Sequence, residues 1–462
     1  MAKKPKPPNA IGGGEKAAFM FGNMGSSPFQ MLTRNFLLIF YTDVVGLHPA
    51  SIATLFLITR ILDAVNDPIM GYVIDHVPRT KLGRFRGSLL VGGIICSLNY
   101  LLVWFGPLWA PAGKIMIAYI SYILLGVTHD LMDIPLQSLI PVMTSDEKER
   151  NVLAVLKSLA TLATGATLAV GVPLFIDSRG DAGSAYSIVV FAAVVFTFVC
   201  TVTAALGVRE RVQPIADETY KLRDIFGIIT IGPVLATFLT NLFYGVADAI
   251  VNTSNVFYFT YILDNRFDIM GFMNIVAAPG TFLAIFLSGY LVSKFGKKPV
   301  YVLAAFVMGG GLLLRLINVT YVPLLLLTNA IIGVGLGLQT VLSSTINADN
   351  IDYVEHARGQ RAEGGITSLT SFINKSGGAL GGAISGYVLA LTGYVANTAQ
   401  TETARMGILA NTIVIPAVLF MLAGLIFWVG YKINNEKLGQ IAADLQERRL
   451  AKGEEYHETP AR

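Results

Sequence analysis

The sequence predicts an all-α membrane protein of twelve spanning helices, and three observations carry that expectation. Hydrophobic residues make up 53 % of the 462 and charged residues only 14 %, against about 25 % charged in a typical soluble domain. The apolar residues gather into runs as long as a bilayer-spanning helix requires, about 20 residues. The roughly ten-residue alternating segments of an outer-membrane barrel are not the pattern. Lysines and arginines collect on one side of those runs, as cytoplasmic loops do. A mean hydropathy of +0.61 argues against a water-soluble enzyme and excludes a disordered or nucleic-acid-binding chain.

The first run, 20–46, follows a basic N-terminal segment with no apolar stretch and small-residue cleavage site behind it, so no cleavable leader is expected. Runs at 50–75, 88–108, 115–143, 153–176 and 184–207 complete a first set of six. The polar stretch 208–225 reads as a central cytoplasmic linker. The second set lies at 226–262, 268–293, 299–318, 322–348, 364–393 and 407–431. The run at 226–262 exceeds one straight span, which predicts a tilted helix or a break near Gly245. The tail, 433–462, is charged and poor in apolar residues, and reads as a short helix with a disordered end. The expected domains are therefore 1–207, 208–225, 226–432 and 433–462.

With both termini placed in the cytoplasm, 25 of the 34 basic residues fall in inside segments and four, Lys114, Arg179, Arg266 and Arg405, fall outside. That asymmetry predicts a multi-pass protein of a bacterial-type plasma (inner) membrane, both ends inside. The sequence also repeats. Gly71-Tyr-Val-Ile-Asp-His-Val-Pro-Arg-Thr-Lys-Leu-Gly-Arg-Phe-Arg86 follows the second run, and Gly289-Tyr-Leu-Val-Ser-Lys-Phe-Gly-Lys-Lys298 follows the eighth, 218 residues on. Two six-helix halves related by an axis along the membrane normal describe the major facilitator fold, with substrate bound near the midplane between them.

An ionisable residue at the bilayer centre costs about 2.5–3.5 kcal/mol on insertion scales, so such residues are functional candidates. Three clusters stand out. In the second run, Asp63 and Asp67 are four apart and share a helix face with Asn66, and Arg60 precedes them. Carboxylates and an amide oxygen are hard ligands for a small cation, and two like charges this close also suit a proton carrier. The plainer alternative is that Arg60 neutralises Asp63. In the fourth run, Asp130, Asp133 and Gln137 form a stripe, with Pro135 able to loosen the helix. Such carboxylates accept paired hydrogen bonds from vicinal hydroxyls of a sugar; the alternative is a polar patch at the cytoplasmic end. In the eleventh run Lys375 follows Asn374 in an otherwise uncharged stretch, and a lysine that deep calls for an anionic partner among Asp63, Asp67 and Asp133.

Other features read as structure. Gly378, Gly382 and Gly386 have the spacing of close helix packing. Asp248 and Arg315 could pair, His129 reads as a core histidine, and Lys157 and Arg34 could line a cavity or sit at the interface. Cys96 and Cys200 lie in apolar runs and give no disulfide or zinc framework. No nucleotide loop follows the glycines at 12–14, and no catalytic constellation is present, so no enzyme and no cofactor are expected.

These residues resemble the glycoside–pentoside–hexuronide:cation symporters, the melibiose-permease-like family of the major facilitator superfamily. The resemblance rests on Phe40-Tyr-Thr-Asp-Val-Val-Gly46, Asp63-Ala-Val-Asn-Asp-Pro-Ile-Met-Gly71, Met132-Asp-Ile-Pro135, Arg361-Ala-Glu-Gly364 and Asn374-Lys375, and spans nearly the whole chain. It implies a cation, Na⁺ or H⁺, at Asp63 and Asp67 with Asn66 nearby, sugar recognition at Asp133, and Lys375 linking the two sites. By position it implies further roles. Asp130 replaces a cation-site threonine, and Ser26 and Ser27 replace a sugar-contacting aspartate. Gln137 replaces an aromatic, Lys157 lies near a sugar-site arginine, and Thr340 or Gln339 replaces a tryptophan. The expected function is sugar or glycoside symport with a cation by alternating access, in a monomer embedded in lipid. An uncoupled facilitator or drug exporter and a non-transporting sugar sensor are the rival readings.

Overall fold

The computed structural model describes residues 11–77, 82–144, 147–179, 182–211, 231–358 and 363–433, with scattered positions between 437 and 447. The linker segment 212–230 and most of the tail lie outside the described residues.

The described residues hold twelve long helices in the expected order. They are α1 (Gly13–Ile39), α2 (Pro49–His76), α3 (Phe85–Trp109), α4 (Lys114–Gln137), α5 (Glu147–Arg179) and α6 (Ala182–Gly207), then α7 (Gly232–Tyr261), α8 (Phe267–Phe295), α9 (Lys297–Leu314), α10 (Val322–Arg358), α11 (Glu363–Leu391) and α12 (Glu402–Gly430). Among the described residues, nine helices are long and apolar enough to cross a membrane. α1, described along its whole length, is not one of them, because Asn23, Ser26, Ser27, Gln30 and Arg34 interrupt its apolar residues. A π turn, Phe40–Val44, extends α1, and a second, Ala410–Val414, interrupts α12.

The contacts divide the chain into two compact units. The first comprises Met1–Asp217, Asn252–Asn274 and Gly382–Ile408. In it α3 packs on α4 and α6, α1 on α5 and α6, and α2 on α4. Small residues permit this: a Cβ on Gly25 would strike Cys200 of α6, and one on Gly92 would strike the Leu131 backbone of α4. Leu131 is the residue whose carbonyl Pro135, lacking an N–H, cannot serve. α4 nonetheless continues through Pro135 to Gln137, and a short helix, Leu139–Met143, follows.

The second unit comprises Glu218–Val251, Ile275–Gly381 and Leu409–Arg462. In it α9 packs on α10 and α12 around Tyr301, Phe427 and Tyr431. Lys297 Nζ donates to both carboxylate oxygens of Asp349 at 2.7 Å. Buried Arg315 donates to Thr328 and Asn329.

One of the two alternatives for the run at 226–262, a break near Gly245, is corrected. α7 runs unbroken from Gly232 to Tyr261. Gly245 does not break it but allows Gly377 of α11 to approach, with Cα 3.5 Å from the position a Gly245 Cβ would take. In the glycine series of α11, Gly378 faces open space; Gly377 and Gly381 meet α7, and Gly382 and Gly386 meet Phe56 and Ala53 of α2. Gly382 and Gly386 thus pack closely as their spacing predicts, and Gly378 does not.

Candidate functional site

The site is built on α4. Its helical period brings Gly126, Asp130, Asp133 and Gln137 along neighbouring faces, and α2 packs beside it. Asn66 Nδ2 of α2 donates to Asp130 Oδ2 at 2.9 Å. Asp130 is 7 % exposed, so this hydrogen bond to a carboxylate is made where water is scarce and counts for more than a surface one. One turn earlier, Asp63 Oδ1 lies against Gly126, closer than a Cβ there would allow. The structure therefore brings Asp63, Asn66 and Asp130 to one α2–α4 contact. The side chains of Arg60 and Asp67 lie outside the described residues. Among the described residues no three His, Cys, Asp or Glu side chains group closely enough to hold a metal ion.

The second cluster lies one turn along α4. Gln137 Nε2 is 3.5 Å from both carboxylate oxygens of Asp133, and Lys157 Nζ of α5 donates to Gln137 Oε1. Asp133 is half-buried and Gln137 exposed, so the three present a negative end, an amide and a positive end in sequence. Such a row can both accept from and donate to the hydroxyls of a polyol. Ser26 donates to the carbonyl of Asn23 on its own helix, and Ser27 is half-buried.

Sequence reasoning passed over Gln30. It is exposed on α1, and its Nε2 lies 3.4 Å from His129 Nε2 on α4. The signal was present: Ser26, Gln30 and Arg34 recur every four residues along the first run. His129, half-buried, thus meets a polar partner on α1.

In the second unit, Gln339 is 4 % exposed and donates to Tyr301 Oη and Ser343 Oγ, whereas Thr340 is exposed and its hydroxyl donates to the Leu336 carbonyl. Lys375 is exposed near the middle of α11, and Asp248 is half-buried on α7.

Comparison with known proteins agrees with this architecture. The chain is 30 % identical over 90 % of its length, and 91 % of the relative's, to the glucuronide carrier protein homolog of Escherichia coli (strain K12). It is 28 % identical over 95 % of its length, and 96 % of the relative's, to the putative glycoside/cation symporter YagG of the same organism. The crystal structure of a D-xylose-proton symporter superposes on 90 % of this chain and 96 % of its own with a TM-score of 0.59 at 13 % identity, a likeness of fold. Residues 18–435 match the family model described as MFS/sugar transport protein. An all-helical chain with polar clusters on spanning helices and that match over most of its length belongs to the MFS/sugar transport protein family, whose members are membrane transporters and not enzymes.

Proposed function

We propose that the chain is a sugar:cation symporter, carrying a glycoside, oligosaccharide or uronide with Na⁺ or H⁺ by alternating access. The observation that carries this reading is the placement of two polar clusters one turn apart on α4: Asp130 bonded to Asn66, and Asp133 in line with Gln137 and Lys157. A cation held by Asp63, Asp67, Asn66 and Asp130 neutralises negative charge immediately beside the sugar's hydrogen-bonding row. That arrangement gives each solute a reason to favour the other, and the coupling is reciprocal. Ser26, Ser27 and Thr340 complete the sugar contacts, and Lys375, with Arg60, links the two sites electrostatically. The six-helix halves 1–207 and 226–432, joined by 208–225, move about the bound solutes, and the tail 433–462 stays in the cytoplasm with the N-terminus. The protein works as a monomer in a bacterial-type inner membrane.

The names of the relatives, a glucuronide carrier homolog and a glycoside/cation symporter, support the substrate class and the coupling. The test is a thermal-stability screen of the purified protein against glycosides, pentosides and glucuronides, each with and without Na⁺ at two pH values. A ligand of the folded state raises the melting temperature. A sugar-specific rise that grows with Na⁺, or with lower pH, identifies substrate class and coupling ion together. Shifts by amphipathic drugs and by no sugar would point to an exporter and overturn the proposal.

A further inference from the structure

The Tyr-Thr-Asp-Val-Val-Gly run has no place in the transport site described above. Its carboxylate, Asp43, sits in the π turn Phe40–Val44 that prolongs α1, a distortion frequent at functional sites. Both its oxygens are engaged. Oδ2 accepts from the hydroxyl of Tyr261 at the end of α7, and Oδ1 from the hydroxyl of Tyr394, just past α11. Oδ1 also accepts from Thr42 Oγ1 at 2.5 Å. The two tyrosine rings meet edge to face with centroids 5.4 Å apart. Asn397 closes the cluster: its backbone N–H donates to the Tyr261 hydroxyl at 3.0 Å and its Nδ2 to the Asp43 carbonyl at 2.6 Å. Lys114 donates to the carbonyls of Val45 and Gly46 and fixes the chain leaving the turn.

All four residues belong to the first compact unit, although Tyr261, Tyr394 and Asn397 come from the second half of the sequence. The backbone is shaped for this contact. Among the described residues, the non-glycine residues with left-handed φ are Asp264 (49°), Asn265 (64°) and Asn397 (57°). Two follow Tyr261 closely and the third is in the cluster itself. Such conformations persist only where the surroundings hold them.

We propose that Asp43, Tyr261, Tyr394 and Asn397 form a latch. It holds the outer ends of α1, α7 and α11 together in one state of the transport cycle and releases them in the other. The proposal rests on the alternating-access reading and the orientation given with it. The chemistry suits a reversible closure. Hydrogen bonds to a carboxylate are strong while water is excluded, yet water satisfies every one of these groups once they part. An apolar seal would instead expose apolar surface at each opening.

The test uses the full-length protein carrying Gln30→Cys, since Gln30 is exposed on α1 and the native Cys96 and Cys200 are buried. A membrane-impermeant maleimide is applied to right-side-out and to inside-out vesicles. Asp43→Asn is expected to accelerate labelling from the outer face about tenfold, the scale of one lost charge-assisted hydrogen bond acting on a two-state equilibrium. Tyr261→Phe and Tyr394→Phe, which keep both rings, are expected to shift it the same way by less, and labelling from the inner face slows in each. Side-selective labelling that both Tyr→Phe variants leave unchanged overturns the latch, and that pair decides the matter should Asp43→Asn fail to fold. A parent protein labelled from one face only, whatever cation or sugar is present, would instead overturn alternating access itself.

Discussion

Asn66 donates its amide to Asp130 across the α2–α4 contact at 2.9 Å, three residues before Asp133 turns toward Gln137 on the same helix. Removing the charge at Asp130 weakens that bond and leaves Asp133 in place. Asp130→Asn is therefore expected to raise the cation concentration needed for half-maximal uptake about tenfold, the cost of one hydrogen bond to a charged group. The sugar KM at saturating cation should change little. Uptake measured over a matrix of cation and sugar concentrations checks this. A variant altered only in sugar KM would place Asp130 in the sugar site.

Lys157 makes the opposite case. Its ammonium reaches Gln137, which in turn faces Asp133. Lys157→Gln removes the positive end of the row and is expected to raise the sugar KM about tenfold without changing the cation requirement. Lys157→Arg should recover part of the loss for neutral sugars. Initial-rate uptake in proteoliposomes at fixed, saturating cation reads both effects.

The stripe on α4 was legible because a helix has one period, and Asp130, Asp133 and Gln137 obey it whatever surrounds them. The α2 carboxylates stood out as candidates for the same reason, since carboxylates spaced by four on a spanning helix are rare and costly. Facing was less legible. Gln339 and Thr340 are adjacent in sequence, yet one turns into the core against Tyr301 and the other is exposed. Of the α11 glycines, Gly382 and Gly386 pack as their spacing predicts, while Gly378 faces open space and Gly377 and Gly381 meet α7: spacing fixes a face, and the neighbouring helices decide how much of it is used. The Asp43 cluster was beyond reach, because its partners lie 218 and 351 residues away. No local pattern encodes pairings at that distance.

Two glycines on neighbouring helices separate function from folding. A Cβ at Gly126 would meet Asp63 Oδ1, the far end of a side chain that can rotate away. A Cβ at Gly92 would meet the backbone of Leu131, which cannot. Gly126→Ala is expected to lower cation-dependent uptake severalfold while the melting temperature stays near that of the parent. Gly92→Ala is expected to lower the melting temperature by several degrees, because overpacking typically costs about 1–3 kcal/mol. Melting curves and uptake assays on the same two preparations test the contrast. Equal thermal losses in both would show that Asp63 is as immovable as backbone.

Glu15 precedes the first apolar run and binds the chain that leaves α6. Both its oxygens accept from Arg211, at 2.6 and 2.8 Å, and one accepts from the backbone N–H of Arg209 at 2.9 Å. Burial alone would raise the Glu15 pKa, but the Arg211 hydrogen bonds and the Arg209 N–H outweigh it and hold the carboxyl below its ordinary value of 4.5. A carboxyl depressed on folding contributes its stability fully above the unfolded pKa and loses it as pH falls through the folded one. Glu15→Gln is therefore expected to lower the melting temperature by a few degrees at neutral pH, with the same deficit down to about pH 5, near the unfolded carboxylate range. Below that the deficit shrinks, because the parent's carboxyl becomes protonated. High salt should narrow it as well, since Arg211 is 25 % exposed and such pairs are screened. Arg211→Gln should cost a similar amount, and the double variant less than the sum. A deficit that persists unchanged to pH 3 would mean that Glu15 acts through packing and not through its charge.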